Sequence, residues 1–334
     1  MTGHPGLDAA VAAGLIDRAT AERLEPYIAA GGAPDTADPD DEKLRLVTGF
    51  NDIFVTIGLV MFLGAMYFLL GALSPFIVAF TAWCLAEYFT RKRRLALPSS
   101  VLLIIFVAAV FLGTLNLFHP GQMTGNPTPL QLVLAALATA LAALLHWWRF
   151  HVPITIAGGV GAVAGLLLAI CNLVAPQLLA DHPVVVFLPI GLAIFALAMW
   201  FDSSDLKRQT RRTDIAFWLH LLAAPIIVHP ILINLATGDA PLADALQVLV
   251  AFLCLAAVAL VVDRRAILVS SLSYLAYAGG KLISAAGLES ASFAVAILAV
   301  GAVVLLLSAA WRPLRRALMG LLPMSVRARL PAVS

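Results

Sequence analysis

The residues best suited to chemistry lie within apolar surroundings, where a polar side chain is costly and usually faces a bundle interior or a water-filled cavity. Ser270, Ser273, Tyr274, Tyr277, Lys281 and Ser284 recur at helical spacing. On a helix of 3.6 residues per turn they share an arc of roughly 100° and form one polar stripe. Such a stripe can be the wall of a path for a solute or ion, with Lys281 attracting an anion or pairing with a carboxylate. It can equally be helix packing, with serines bonded across helices or back to their own carbonyls and Lys281 extended to the membrane surface. Gly279 and Gly280 fit both readings.

A second set comprises His220, His229 and Asn234, with Pro225 and Pro230 interrupting the same segment. Prolines free backbone carbonyls, and broken helices line the central sites of many transporters. On an ideal helix His220 and Asn234 share a face while His229 points away, so the two histidines make no simple ligand pair. Asn116, Asn172, His229 and Asn234 fall toward the same end of their segments. They outline an outward-facing polar pocket, or else cap helices at the interface.

Other signals fail on context. Cys84, Cys171 and Cys254 are scattered through apolar runs and form neither a disulfide framework nor a metal cage. Gly159, Gly161 and Ala164 match a dinucleotide fingerprint but follow no strand; Gly161 and Gly165 read better as a small-residue surface for close helix packing. The glycines before Lys281 lack the earlier glycine of a phosphate-binding loop. Glu87 stands four residues before Arg91, which suits a local ion pair. No catalytic residue, cofactor or metal is expected.

The elements that must position these residues are membrane helices. The chain has 334 residues, 62% hydrophobic and 12% charged, with a mean hydropathy of +0.97. Soluble domains carry roughly 25% charged residues. A net charge of +2 excludes a strongly basic nucleic-acid binder, and the hydrophobicity excludes a disordered chain. A helix needs about 20 apolar residues to cross the bilayer core. That ruler predicts an all-α polytopic bundle of ten spans, near 53–72, 75–90, 97–117, 130–148, 153–174, 183–201, 215–236, 244–262, 266–287 and 292–311. The second is short.

Charge sorts with this count. Basic clusters at Arg91–Arg94, Arg149, Lys207–Arg212, Arg264–Arg265 and Arg312–Arg329 all follow even-numbered spans, and Arg18, Arg23, Lys43 and Arg45 precede the first. Of the 21 Lys and Arg residues, Lys281 alone falls within a span, and the opposite loops carry only acids. The positive-inside rule then makes both termini cytosolic. All six tryptophans lie toward the cytosolic ends of their spans. The basic clusters recur every fifty to sixty residues, as a duplicated hairpin or low-complexity composition would both produce.

Residues 1–28 read as a cytosolic helical hairpin, with Gly14 closing the first helix and Asp17 capping the second. Residues 29–50 are an acidic Gly/Pro linker, 51–311 the ten-span bundle and 312–334 a basic interfacial tail. The polar first 50 residues lack the short apolar core of a secretory signal. Expected partners are the lipid bilayer, anionic lipid at the tail and a cytosolic protein at the hairpin.

The opening LDAAVAAGLIDRATAERLEPY, followed by a Gly/Asp-rich linker and LRLVTGFNDIFVTIGLVMFLGA, resembles a bacterial family of predicted multi-pass membrane proteins of unknown function. Its members begin with a short cytosolic Gly-Leu-Ile helical hairpin. The resemblance covers about 75 residues and implies a bacterial inner membrane, with no catalytic residues to carry over. The layout is similar to that of drug/metabolite-type transporters by helix count alone. A transporter-like role for a small solute or lipid-linked molecule is the leading expectation. The alternative is an assembly or sensor factor acting through the hairpin.

Overall fold

A computed structural model of the chain describes residues 5–29, 50–118, 126–205, 210–236, 241–287, 292–327 and 330. The linker 29–50, apart from its two end residues, lies outside them, as does Arg329. Among the described residues every regular element is a helix. The chain divides into two compact units.

The first unit is a helical hairpin of α1 (Pro5–Ala12) and α2 (Arg18–Ala29). Gly14 adopts φ +69°, and the Gly14 and Leu15 amides donate to Val11 and Ala10, so the freed carbonyls at the helix end are satisfied. The Asp17 carboxylate accepts from the Thr20 amide at 3.2 Å and caps α2. Leu7 and Ala21 are buried.

The second unit is a membrane helix bundle. Its principal helices are α3 (Phe50–Leu69), α4 (Ser74–Ala86), α5 (Ala96–Phe118), α6 (Pro129–Phe150) and α7 (Pro153–Val174). After the short α8 (Pro176–Asp181) come α9 (Pro183–Ser203), α10 (Arg211–Ala236), α11 (Pro241–Val262), α12 (Ala266–Ala285) and α13 (Ser292–Ala309). Each expected span coincides with one of these helices. Among the described residues, eight are long and apolar enough to cross a membrane. A ninth candidate joins α13 through a 67° bend to α14 (Trp311–Leu321). A last short helix, α15, covers Met324–Arg327. Without water to serve the backbone, helices that satisfy their own hydrogen bonds are the available solution.

The second span is longer than its composition suggests. A 3₁₀ turn (Gly71–Leu73) and a π-helical segment (Glu87–Lys92) extend α4 at both ends, giving 22 residues. Proline opens α6, α7 and α9, where its missing amide costs nothing. At α6 a capping box adds to this: Thr128 N–H donates to Gln131 Oε1 at 2.9 Å, and Gln131 N–H returns to Thr128 Oγ1.

Antiparallel hairpins α4–α5, α6–α7, α9–α10 and α11–α12 are the four most extensively packed helix pairs. Their connecting turns hold the basic clusters, and that side of the bundle is its basic end. Arg94, His151 and Asp263 take left-handed φ of 54–59° there, each letting the chain reverse within a few residues. The bundle is built around α10, which packs on α7, α9, α11 and α12. Half of its spanning window is buried, against 17–33% in the other seven spans. Protein neighbours on several sides allow α10 to carry Pro225 and Pro230.

Apolar burial does not drive helix association in lipid, so close van der Waals packing must. Ala82, Ala135, Ala198, Ala216, Ala223 and Ala259 are accordingly fully buried between helices. Among the described glycines, Gly191 of α9 leaves the least room for a side chain. A Cβ there would fall 2.6 Å from Ile227 Cγ1 and 3.1 Å from the Ile227 amide of α10. Of the expected small-residue pair on α7, Gly161 lies against Leu222, whereas a Cβ on Gly165 would meet open space.

Candidate functional site

The polar stripe is divided between faces of α12. Ser270, Tyr274, Lys281 and Ser284 are half-buried, while Ser273 and Tyr277 are exposed. Ile267, Leu268, Ser271 and Ala278 form the buried face. Ser273 and Ser271 donate back to the carbonyls of Ser270 and Leu268 at 3.1 and 2.9 Å.

The second set is also dispersed. His229 is exposed and hydrogen-bonded through Nδ1 to the Tyr274 hydroxyl, so one member of each set meets the other. Asn116 donates its side-chain amide to the Ala72 carbonyl and ties α5 to the 3₁₀ turn. Asn172 is half-buried near the end of α7. The side chain of Asn234 lies outside the described residues. His220, by contrast, is fully buried at the basic end.

There it joins an ionic cluster that ties three helix ends together. Asp202, in the last turn of α9, meets His220 Nε2 at 2.9 Å. The guanidinium of Arg264, in the α11–α12 turn, donates to the same carboxylate from Nε at 3.2 Å and also from Nη2. Arg264 is 0% exposed and reaches the Thr213 carbonyl of α10 at 3.4 Å. Next to it Asp263 accepts from the Trp311 indole at 2.9 Å and lies 3.7 Å from Arg315 Nε. Arg264 and Arg315 are thus interior residues rather than solvated loop charges. Arg315 shares the buried face of α14 with Trp311 and Met319, while Arg312 and Arg316 stay exposed.

A second ion pair joins α6 to the π-helical segment. Glu87 accepts from Arg149 in bidentate fashion, at 2.8 Å on each oxygen, and from Arg91 at 3.4 Å. Below it the His146 ring packs against Trp83, Phe106 and Phe150 and is hydrogen-bonded to Thr155 at 3.2 Å.

Between these clusters the basic end opens into a cavity of about 500 Å³. Its rim carries Arg91, Arg94, His151 and Arg211, and Asp214 is the carboxylate among its lining residues. Thr90, Ser99 and Ser100 add hydroxyls; Phe150 and Trp218 add ring surface. The first turns of α5, α7 and α10 all contribute, so three positive helix ends converge on one space. One helical turn deeper the three helices close. Leu103 and Leu219 are buried, a Cβ on Gly158 would touch Leu103 at 3.7 Å, and one on Gly161 would touch Leu222 at 3.4 Å. The cavity is a vestibule with an apolar floor.

The cavity residues read in the sequence as topology-setting charges. One signal was available: Arg94 and Arg211 stand at the N-terminal ends of helices, where the macrodipole disfavours a cation. Asp202 and Asp263 had no comparable mark, since Glu87, Asp205 and Asp214 stand beside the same basic clusters. Against known protein families, curated proteins and solved structures, the chain gives no match.

Proposed function

We propose that this membrane protein is a permease-like carrier of a small solute and that the basic-end cavity is its cytosol-facing mouth. The vestibule itself carries the reading. It is within the usual range for small-molecule sites, lined by ring surface and a few convergent polar groups, and closed beneath by interlocking side chains. The sorting of basic residues supports cytosolic termini, and the resemblance of residues 1–75 supports a bacterial inner membrane.

Single cysteines at Ser100, Leu103 and Leu222, with Cys84, Cys171 and Cys254 replaced by alanine, test this. A membrane-impermeant thiol reagent should modify Ser100→Cys only from the basic-end side. Alternating access requires Leu103→Cys and Leu222→Cys to react slowly from the opposite side. Inertness of both from either side refutes a route through this floor.

The separateness of the α1–α2 unit favours a second reading, a sensor or assembly factor whose hairpin binds a cytosolic protein. Deleting residues 1–42 would then abolish function and leave the bundle folded. The exposed Arg312 and Arg316 on α14 suit contact with anionic lipid.

A further inference from the structure

We infer that the basic-end cavity binds a phosphate group, carried either by a small soluble phosphate compound or by a lipid headgroup. The inference rests on the permease reading only for the purpose of the cavity; its grounds are separate.

Thr90 is the first. Hydroxyls in these helices satisfy themselves by donating to the carbonyl four residues back, as Thr56, Ser100, Thr114 and Thr139 do at 2.7–3.1 Å. Thr90 lies in the π-helical segment, where the widened turn removes that register, and π-bulges recur at functional sites. Its hydroxyl is buried, lines the cavity and has no hydrogen-bond partner among the described residues. A buried donor of this kind costs free energy until an acceptor arrives.

The helix ends are the second. α7 begins at the cavity with Val152 at its N-cap, a side chain that can accept nothing. Pro153 has no amide and the Thr155 amide donates to the Val152 carbonyl at 2.9 Å, so the Ile154 amide is the early donor with no side-chain cap. A tetrahedral oxyanion supplies several acceptor oxygens to such a site.

Charge is the third. Arg91, Arg94 and Arg211 face one carboxylate, Asp214, across the cavity. Glu87, held by Arg149 on both oxygens, also accepts from Arg91 at 3.4 Å, so Arg94 and Arg211 carry the larger part of the positive charge at the cavity. Cations at the starts of α5 and α10 repel the helix dipoles, and a bound dianion converts both repulsions into attraction. The volume exceeds that of phosphate alone, and Phe150 and Trp218 provide surface for the organic part of an ester.

Equilibrium binding of radiolabelled inorganic phosphate to the purified full chain in neutral-lipid nanodiscs tests the inference, with thermal unfolding read in parallel. Chloride at equal ionic strength is the control, and nanodiscs containing phosphatidic acid form the second arm. Saturable phosphate binding, or stabilisation by phosphatidic acid alone, is expected and tells the soluble source from the lipid one. Arg211→Gln and Arg94→Asn should abolish it; asparagine tolerates the left-handed backbone at residue 94. Thr90→Val, nearly isosteric, should weaken it about tenfold. Absence of any effect beyond chloride in both arms, or binding unchanged in Arg211→Gln, overturns the inference. Phosphate binding with inert cysteines below the floor would leave an anion site and remove the permease. Reactive cysteines without phosphate binding would do the reverse.

Discussion

Replacing Asp202 with leucine leaves Arg264 fully buried opposite an apolar side chain. At an effective dielectric of about 20, two unit charges some 4 Å apart interact by about 4 kcal/mol. The contacts here, 3.2 Å and shorter, bring the charges at least that close. Breaking a buried pair from one side costs about 3–5 kcal/mol, a range that includes this value. Asp202→Leu and Arg264→Met should each shift the folding equilibrium by roughly 10²–10³-fold or more. The double variant should recover most of the loss, because an apolar pair carries no stranded charge. A residue of about 1–2 kcal/mol will remain, since His220 and the Thr213 carbonyl each lose a partner. Reversible unfolding in mixed detergent micelles, read by tryptophan fluorescence, measures all four corners of the cycle. If the two single effects simply add to within about 0.5 kcal/mol, the residues are not coupled and the interior ion pair is refuted.

Three further outcomes follow from the geometry. Gly191→Ala should destabilise the bundle by about 1–3 kcal/mol, because the new methyl meets β-branched Ile227 and its backbone; unchanged unfolding would mean that α9 and α10 are further apart. Glu87→Gln should cost about 1 kcal/mol, discounted for partial exposure, and less at high salt; a salt-independent effect would argue against the ion pair with Arg149. Hydrogen bonds from the Thr20 side chain and amide hold the Asp17 carboxyl below its ordinary range. A depressed folded-state value means that the cap contributes above the unfolded carboxylate range and is lost as pH falls through the folded value. The Thr20 amide resonance of the full chain should move with that titration, and Asp17→Asn should abolish the movement.

Helical segments were legible because lipid leaves an apolar chain few alternatives, but of the ten spans that charge sorting suggested, eight, or nine with the bent α13–α14 pair, are long and apolar enough to cross a membrane among the described residues. Their ends were less so. The seventh span was expected from residue 215, yet α10 begins at Arg211, since Thr210 and Asp214 suit a helix start that hydropathy overlooks. The six residues of α8 are too few to produce a periodic signal. Periodicity groups the α12 stripe by angle but carries no information on which angle faces the neighbours. Ser271 is the buried serine, and it was outside the stripe. The cavity was invisible for a different reason: its residues come from near positions 90, 150 and 211, and only packing brings them together. Asp202 and Arg264, 62 residues apart, were hidden in the same way.

The contacts at the start of α14 bear on how the protein is made. Asp263 is synthesised at the turn between two membrane helices, whereas the indole that bonds it arrives 48 residues later and the guanidinium of Arg315 later still. The turn stays chemically incomplete until α14 has been made, so a chain halted before Trp311 lacks both of these partners of Asp263. Synthesis of α14 is therefore the step that completes the α11–α12 turn.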